Sequence, residues 1–185
     1  FRAVALVQER ADDVRVTASA FSPQAHYACS TNNGTITIAK YTGTGGAVKV
    51  PGTINGFPVT GIGRSTFQNC TNLASLTVPD SLTTIAENAF RGCSGLTTLT
   101  IPRSVTSVWA NAFADCARLT SIKVAAANPV YASSEDGVLL SKDKSTLVRY
   151  PSGREGDYKV PDSVTRIGNE AFCASRALTT IDIAT

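Results

Sequence analysis

The sequence predicts a solenoid: short strands stacked coil upon coil in a right-handed sense into parallel ladders, with short helical or 3-10 turns between them. Three observations carry this. Phe67, Phe90 and Phe113 recur every 23 residues, as do Cys70, Cys93 and Cys116 and likewise Leu73, Leu96 and Leu119, and a fixed period of this length marks stacked supersecondary units. Within a period, "LTTLTIP" places Leu96, Leu99 and Ile101 on one side with Thr98 and Thr100 opposite, then stops at a proline that cannot donate to a ladder. The chain is also rich in Thr, Ser, Ala, Val and Gly and poor in Glu and Lys, which favours strands and turns over long amphipathic helices.

Taken in order, residues 1–24 form an N-terminal arm. Within it "VRVTASAF" (14–21) alternates as a strand with no obvious home. Residues 25–47 read as a β-hairpin cap, "AHYACS" and "TITIAKY" meeting at Asn33-Gly34, a strong turn signal. A hairpin there covers the open edge of the first coil. Residues 48–185 are the repeats, the first widened by five residues, "INGFP" (54–58). Val59, Leu82 and Val105, then Ile62, Ile85 and Val108, precede each phenylalanine at constant distance, and Leu76/Val78, Leu99/Ile101 and Ile122/Val124 supply the strands. The register breaks in an irregular coil over 122–157, whose "GVLL" and "STLVRY" read as a second hairpin projecting from the stack. It resumes at Tyr158, with Val164, Ile167, Phe172 and Leu178 in their slots and Ser175 in that of the cysteines. A coil this short cannot bury its apolar side alone, so the stack is expected to share one continuous core. "IDIAT" begins a coil and leaves an unpaired edge. The absence of methionine reads as a processed or trimmed piece of a longer chain.

The motif "LTTLTIPRSVTSVWANAFADCARL" and its copies resemble the leucine-rich repeat superfamily, specifically the BspA-like (Treponema pallidum-type) class. The resemblance covers residues 48–185; Trp109 and Ala86 depart from the usual glycine after the Ile/Val slot, and Ala125 from the usual proline. It implies a leucine-rich-repeat solenoid from a bacterial, extracellular or cell-surface protein that adheres to host or matrix proteins.

Several function classes are excluded. A net charge of +3 with scattered basic residues gives no nucleic-acid footprint. Apolar runs of about four residues are too short for a membrane span, which takes about 20, and "FRAVALV" (1–7) is too short for a signal peptide. No nucleophile has a paired base: His26 is the lone histidine and reads as a surface or cap residue rather than a partner of Cys29. "SSEDG" (133–137) and "SKDK" (141–144) lack calcium-loop spacing, and "GTGG" (43–46) lacks the lysine and helix of a phosphate loop. "NGT" at 33 and "NCT" at 69 match the glycosylation triplet. No cofactor and no metal is implied.

The cysteines at 70, 93 and 116 form a column with about 5 Å between coils. Such a column cannot converge on a tetrahedral metal and sits slightly too far apart, pointing the same way, for a disulfide. A structural ladder is the preferred reading, Phe67, Phe90, Phe113 and Phe172 filling the core and Cys70, Cys93 and Cys116 the gap behind, with an adjacent-coil disulfide and a metal as alternatives. Cys29 and Cys173 lie near opposite ends, so only an intermolecular bridge would join them. The outward strand positions make two columns, Ser75, Thr98, Ser121, Asp157 and Thr180, then Thr77, Thr100, Lys123, Lys159 and Asp182, expected to line a concave binding face. The expected function is a non-enzymatic extracellular interaction and adhesion scaffold, its partner a protein or a glycan. The alternative is a subunit that assembles head to tail with copies of itself, through its N-terminal arm and uncapped last coil.

Overall fold

The computed structural model describes residues 14–17 and 26–183. Strands β2 (Tyr27–Asn32) and β3 (Thr35–Tyr41) make an antiparallel hairpin through Asn33 and Gly34, both at positive φ, as a two-residue turn of the hairpin type requires. The strand at β1 (Val14–Thr17) has a home after all: it pairs antiparallel with β2 on the hairpin's outer edge. The rest of the predicted arm lies outside the described residues. On its other edge β3 runs parallel to β6 (Phe57–Ile62), so the hairpin covers the first coil. The extra residues of that coil form a tight antiparallel turn, β5 (Thr53–Ile54) against the start of β6, through the positive-φ pair Asn55 and Gly56.

Each coil then contributes two strands. The longer ones are β4 (Gly46–Lys49), β7 (Leu73–Thr77), β9 (Thr98–Ile101) and β11 (Ser121–Val124). The shorter ones are β8 (Thr84–Ile85) and β10 (Ser107–Val108), which extend the β3–β6 ladder in parallel. Between the short strand and the next long one the chain makes tight turns. In three coils the residue two before the phenylalanine, Ser65, Asn88 or Glu170, is left-handed. In the coil of Phe113 the 3-10 helix Ala110–Phe113 replaces that turn.

The irregular coil is where structure and expectation part. The 23-residue register runs further than the sequence pattern suggests: Asn128 falls in the slot of Val59, Leu82 and Val105, and Tyr131 in that of Ile62, Ile85 and Val108. Residues 132–146 are the true insertion. They carry β12 (Tyr131–Ser133) and β13 (Leu139–Ser141) into β14 (Thr146–Arg149), which pairs parallel with β16 (Arg166–Ile167) of the following coil. The hairpin does not project. Leu139, Leu140, Leu147, Arg149 and Tyr150 are all buried, because Leu147 occupies the isoleucine slot a second time and Tyr150 the phenylalanine slot. The last coil closes on β15 (Gly156–Lys159) and β17 (Leu178–Asp182).

The insertion also divides the interior. The expected single core is two clusters: one from Tyr27 to Leu139, and a smaller one of Val138, Leu140, Leu147, Tyr150, Tyr158, Val160 and Ala171. Between them stand polar staples. Asn128, fully buried, donates to the carbonyls of Pro102 and Val105 at 2.8 and 2.9 Å and accepts from the amides of Val130 and Tyr131 at 2.9 and 2.8 Å. Buried Arg149 donates to the Glu170 and Cys173 carbonyls at 2.8 and 2.7 Å and to that of Phe113 at 3.4 Å. One guanidinium thereby ties its coil to the coils on both sides, and burial draws its pKa below the usual arginine value.

Two substitutions test these staples. Asn128→Leu restores the residue class of the neighbouring slots, yet it should destabilise by about 2–3 kcal/mol. Four hydrogen bonds are lost, and the Val105 carbonyl and the Tyr131 and Val130 amides lose the partner that Asn128 gave them. Arg149→Met should cost about 2–4 kcal/mol. Both are read from denaturant or thermal unfolding, and unchanged midpoints would show that the staples contribute nothing.

Candidate functional site

The long strands place the outward columns. On β7, β9 and β11 the residues Ser75, Thr77, Thr98, Thr100 and Lys123 are exposed and Ser121 is half-buried. In register, Thr98 stands opposite Ser121 and Thr100 opposite Lys123, while Ala47 and Lys49 on β4 stand opposite Ser75 and Thr77. Lys49 therefore extends the second column; its place in the alternation of "AVKV" was the available signal. Asp157, Lys159, Thr180 and Asp182 are exposed on β15 and β17, Asp157 opposite Thr180 and Lys159 opposite Asp182.

These ten residues do not form one sheet. The amide of Ile122 donates to the Gly137 carbonyl at 2.8 Å, so the 134–138 turn, not β15, borders β11. Gly137 is at positive φ, and a Cβ on it would come within 2.3 Å of Ser121 Oγ, so only glycine lets the turn lie this close. The face divides into a hydroxyl-and-lysine patch on β4, β7, β9 and β11 and a mixed-charge patch on β15 and β17. In the second, Asp157 Oδ1 accepts from the Thr179 and Thr180 hydroxyls at 2.6 and 2.7 Å, which lowers its pKa. At the carboxyl ends of β7, β9 and β11 a groove of about 530 Å³ opens between Val78, Asp80, Pro102, Arg103 and Ala125–Ala127.

The conspicuous sequence residues point inward. Phe67, Phe90 and Phe113 stack with centroids 5.2 and 5.7 Å apart, continued by Tyr41 on Phe67 at 4.9 Å, and a second column joins Tyr150 to Phe172 at 5.3 Å. The buried Cys93 Sγ donates to the Phe67 carbonyl at 3.0 Å and Cys116 Sγ to that of Phe90 at 3.1 Å. Burial pushes the Cys116 thiol up to about 12 and raises Cys93 further still. In the irregular coil Ser152 Oγ takes over, meeting the Phe113 carbonyl at 3.4 Å and that of Cys116 at 3.2 Å. Cys70 is half-buried, and all five cysteines are free thiols.

The expectation of a bridge between molecules through Cys29 meets a physical obstacle. Cys29 lies inside the hairpin cap at 4 % exposure, its thiol turned to the Tyr27 carbonyl at 3.8 Å, whereas Cys173 is exposed. His26 packs edge-on against Tyr41 at 6.4 Å. Asp143 of "SKDK" caps its own turn by accepting from Ser141 Oγ, Ser145 Oγ and the Ser145 amide, which lowers its pKa. Asp136 of "SSEDG" pairs with Arg154. Asn33 and Asn69 are exposed at positive φ, and Gly45 packs on the Asn72 backbone. Among the described residues no three His, Cys, Asp or Glu side chains gather as a metal site would need. No helix among them is long and apolar enough to cross a membrane.

A stack of two-strand coils with a leucine and phenylalanine core defines a leucine-rich repeat solenoid. More than half of the chain, residues 55–134 and 156–185, matches the model of the BspA type leucine rich repeat region in six copies, and the chain belongs to that family. It is similar to the crystal structure of the pneumococcal vaccine antigen PcpA, with 31% identity and a TM-score of 0.65 over 74% of this chain and 33% of that one. The T. pallidum leucine rich repeat protein TpLRR is 23% identical with a TM-score of 0.62, over 86% of this chain and 70% of that one. A leucine-rich repeat protein from Eubacterium ventriosum is 19% identical with a TM-score of 0.51, over 93% of this chain and 60% of its own length. The chain thus spans a third of the pneumococcal protein. Among curated proteins no relative matches.

Thiol chemistry gives a sharp test. In the native protein an alkylating reagent at pH 8 should modify Cys173 first and leave Cys93 and Cys116 untouched until unfolding, as read by peptide mass spectrometry. Because the folded thiols titrate above the unfolded value of about 8.5, their stabilisation is complete below that pH. It is lost above it, at up to about 1.4 kcal/mol per pH unit for each thiol. The melting temperature of the wild type should therefore fall more steeply above about pH 9 than that of Cys93→Ala/Cys116→Ala. Equal slopes would show that the thiols do not contribute.

Proposed function

We propose that the chain is a non-enzymatic scaffold, exposed outside the bacterial cell, that adheres to a protein or glycan through its ladder face. The observation that carries this is the division of labour along each strand. Leu73, Leu76, Leu99, Ile101 and Ile122 bury the inward positions, while Thr77, Thr98, Thr100, Lys123 and Lys49 hold the ladders through their backbones alone and leave their side chains exposed. Rows of hydroxyls punctuated by two lysines offer weak, wet, repeated contacts, and avidity along a surface turns such contacts into adhesion. The repeated phenylalanines Phe67, Phe90 and Phe113 and the thiols of Cys93 and Cys116 are committed to packing. Family membership favours an interaction scaffold over an enzyme, and likeness to a protein described as a vaccine antigen favours an accessible location.

A second reading, self-association, draws on Ile167, Ile181 and Ile183, which are 39, 41 and 58 % exposed on the last described coil. Such a face takes a further coil or a second copy of the chain. Residues 14–17 already pair with β2 of their own hairpin, so an arm swapped onto another copy would first have to break that ladder.

The tests differ. Lys49→Glu/Lys123→Glu should weaken binding to immobilised matrix proteins or glycans about tenfold or more while the melting temperature holds, since rim charges act on encounter rather than on folding. Binding indifferent to this change would overturn the ladder-face reading. For self-association, light scattering should show mass rising with concentration, abolished by Ile181→Lys.

A further inference from the structure

Trp109 is the chain's only tryptophan and is 54 % exposed. It stands in a slot that other coils fill with Gly63, Ala86 and Gly168. The slot is narrow: at Gly63 and Gly168 an added Cβ would lie 2.9 Å from the carbonyl oxygen of Ile38 or Leu147 on the preceding strand. The indole sits just before the 3-10 helix that replaces the usual left-handed turn. An indole in such a place gains little burial, so packing does not explain it.

A groove of about 570 Å³ opens beside it, with Glu87, Ser107 and Asn111 on one bank and Asn169 and Glu170 on the other. The insertion makes this space. β10 ends the ladder that it shares with β8, while β14 pairs with β13 and β16, so no ladder joins β10 to β14. Where a strand would have continued from β10, the Val108 amide instead donates to the Tyr131 hydroxyl at 3.0 Å.

The polar groups fit an uncharged, hydroxyl-rich ligand. Glu87 is neutralised by Arg64 at 2.7 Å and also accepts from Asn111 Nδ2 at 3.4 Å. That contact fixes the Asn111 amide with its Oδ1 buried and lacking a donor. Ser107, Asn169 and Glu170 add donors and acceptors to the groove that the indole lines. The electron-rich indole face attracts the polarised C–H groups of a sugar ring, while amide, hydroxyl and carboxylate groups address its hydroxyls. A cationic side chain would find one carboxylate already paired.

We propose that this groove binds a neutral saccharide, its pyranose ring stacked on Trp109 and its hydroxyls held by Asn169 and Glu170. The site lies on the short-strand ladder and goes beyond the ladder-face reading; Lys49 and Lys123 have no part in it. As the sole tryptophan, Trp109 reports the groove by its own fluorescence. Neutral hexose and N-acetylhexosamine oligomers of several linkages, titrated into the chain, should include one that gives a saturable blue shift and protection from acrylamide. Half-saturation is expected near or below about 1 mM. Asn169→Ala and Glu170→Gln should each weaken it about 3- to 10-fold, while Lys49→Glu/Lys123→Glu leaves it unchanged. Calorimetry on Trp109→Ala should show binding lost with the melting temperature retained. The proposal fails if no oligomer moves the emission, if only a tetralysine peptide does, or if Asn169→Ala and Glu170→Gln bind as the wild type.

Discussion

The stack depends on one recurrent contact: the carbonyls of Phe67, Phe90 and Phe113 each accept a hydrogen bond from a side chain of the next coil. For Phe67 and Phe90 this adds to the bond from the amide three residues on in their own coil. Such a hydrogen bond contributes about 0.5–1.5 kcal/mol, and repeated from coil to coil it is a sizeable share of the stability of a domain. The regular coils make it with a thiol, Cys93 to Phe67 and Cys116 to Phe90. A cysteine is small and apolar enough to fill the space behind the ring, and its weak donor suffices for one carbonyl. At Phe113 the next coil is irregular, and the same contact is made by Ser152 and the Arg149 guanidinium. The positions of the Cys93 and Cys116 thiols thus follow from the backbone carbonyls they meet, and burial raises the pKa of both.

The irregular coil is the second determinant. By repeating the isoleucine slot at Leu147 after Tyr131, it adds a strand pair on one side of the coil without advancing the stack on the other. The consequences run through the molecule. The aromatic column stops at Phe113 and restarts at Tyr150, and the core splits in two. The long-strand face is parted by the 134–138 turn, and the short-strand ladder is opened beside Trp109. Asn128 and Arg149 compensate with directed hydrogen bonds where repeated apolar contact is lost. A perfectly regular solenoid of these coils would offer two smooth ladders; the departure from regularity gives this one a recess.

Function in such a fold has to be sought where the period does not require the residue found. Phe, Cys and Leu at their slots are demanded by packing and say nothing about a partner. Exposed Thr, Lys and Trp side chains are not demanded by it. The hydroxyl-and-lysine patch and the Trp109 groove are two places where the surface departs from what stacking needs, and they belong to different ladders of the coil.

The architecture was legible in the sequence because a 23-residue period imposes itself on every coil: the strands, the inward phenylalanines, the cap hairpin at Asn33-Gly34 and the outward columns all follow from spacing and alternation. The same spacing held the signal for Asn128 and Tyr131, overlooked because their residue types differ from the slots they fill. What spacing could not determine is the path of residues 132–146. Whether a hairpin of alternating apolar residues projects or folds inward depends on which neighbours accept its side chains. Leu140 and Tyr150 find theirs in a coil about twenty residues further on. The interruption of the two ladders, the staple at Arg149 and the groove at Trp109 arise from that packing. They join residues far apart in the chain through contacts that no local pattern encodes, so only the tertiary structure decided them.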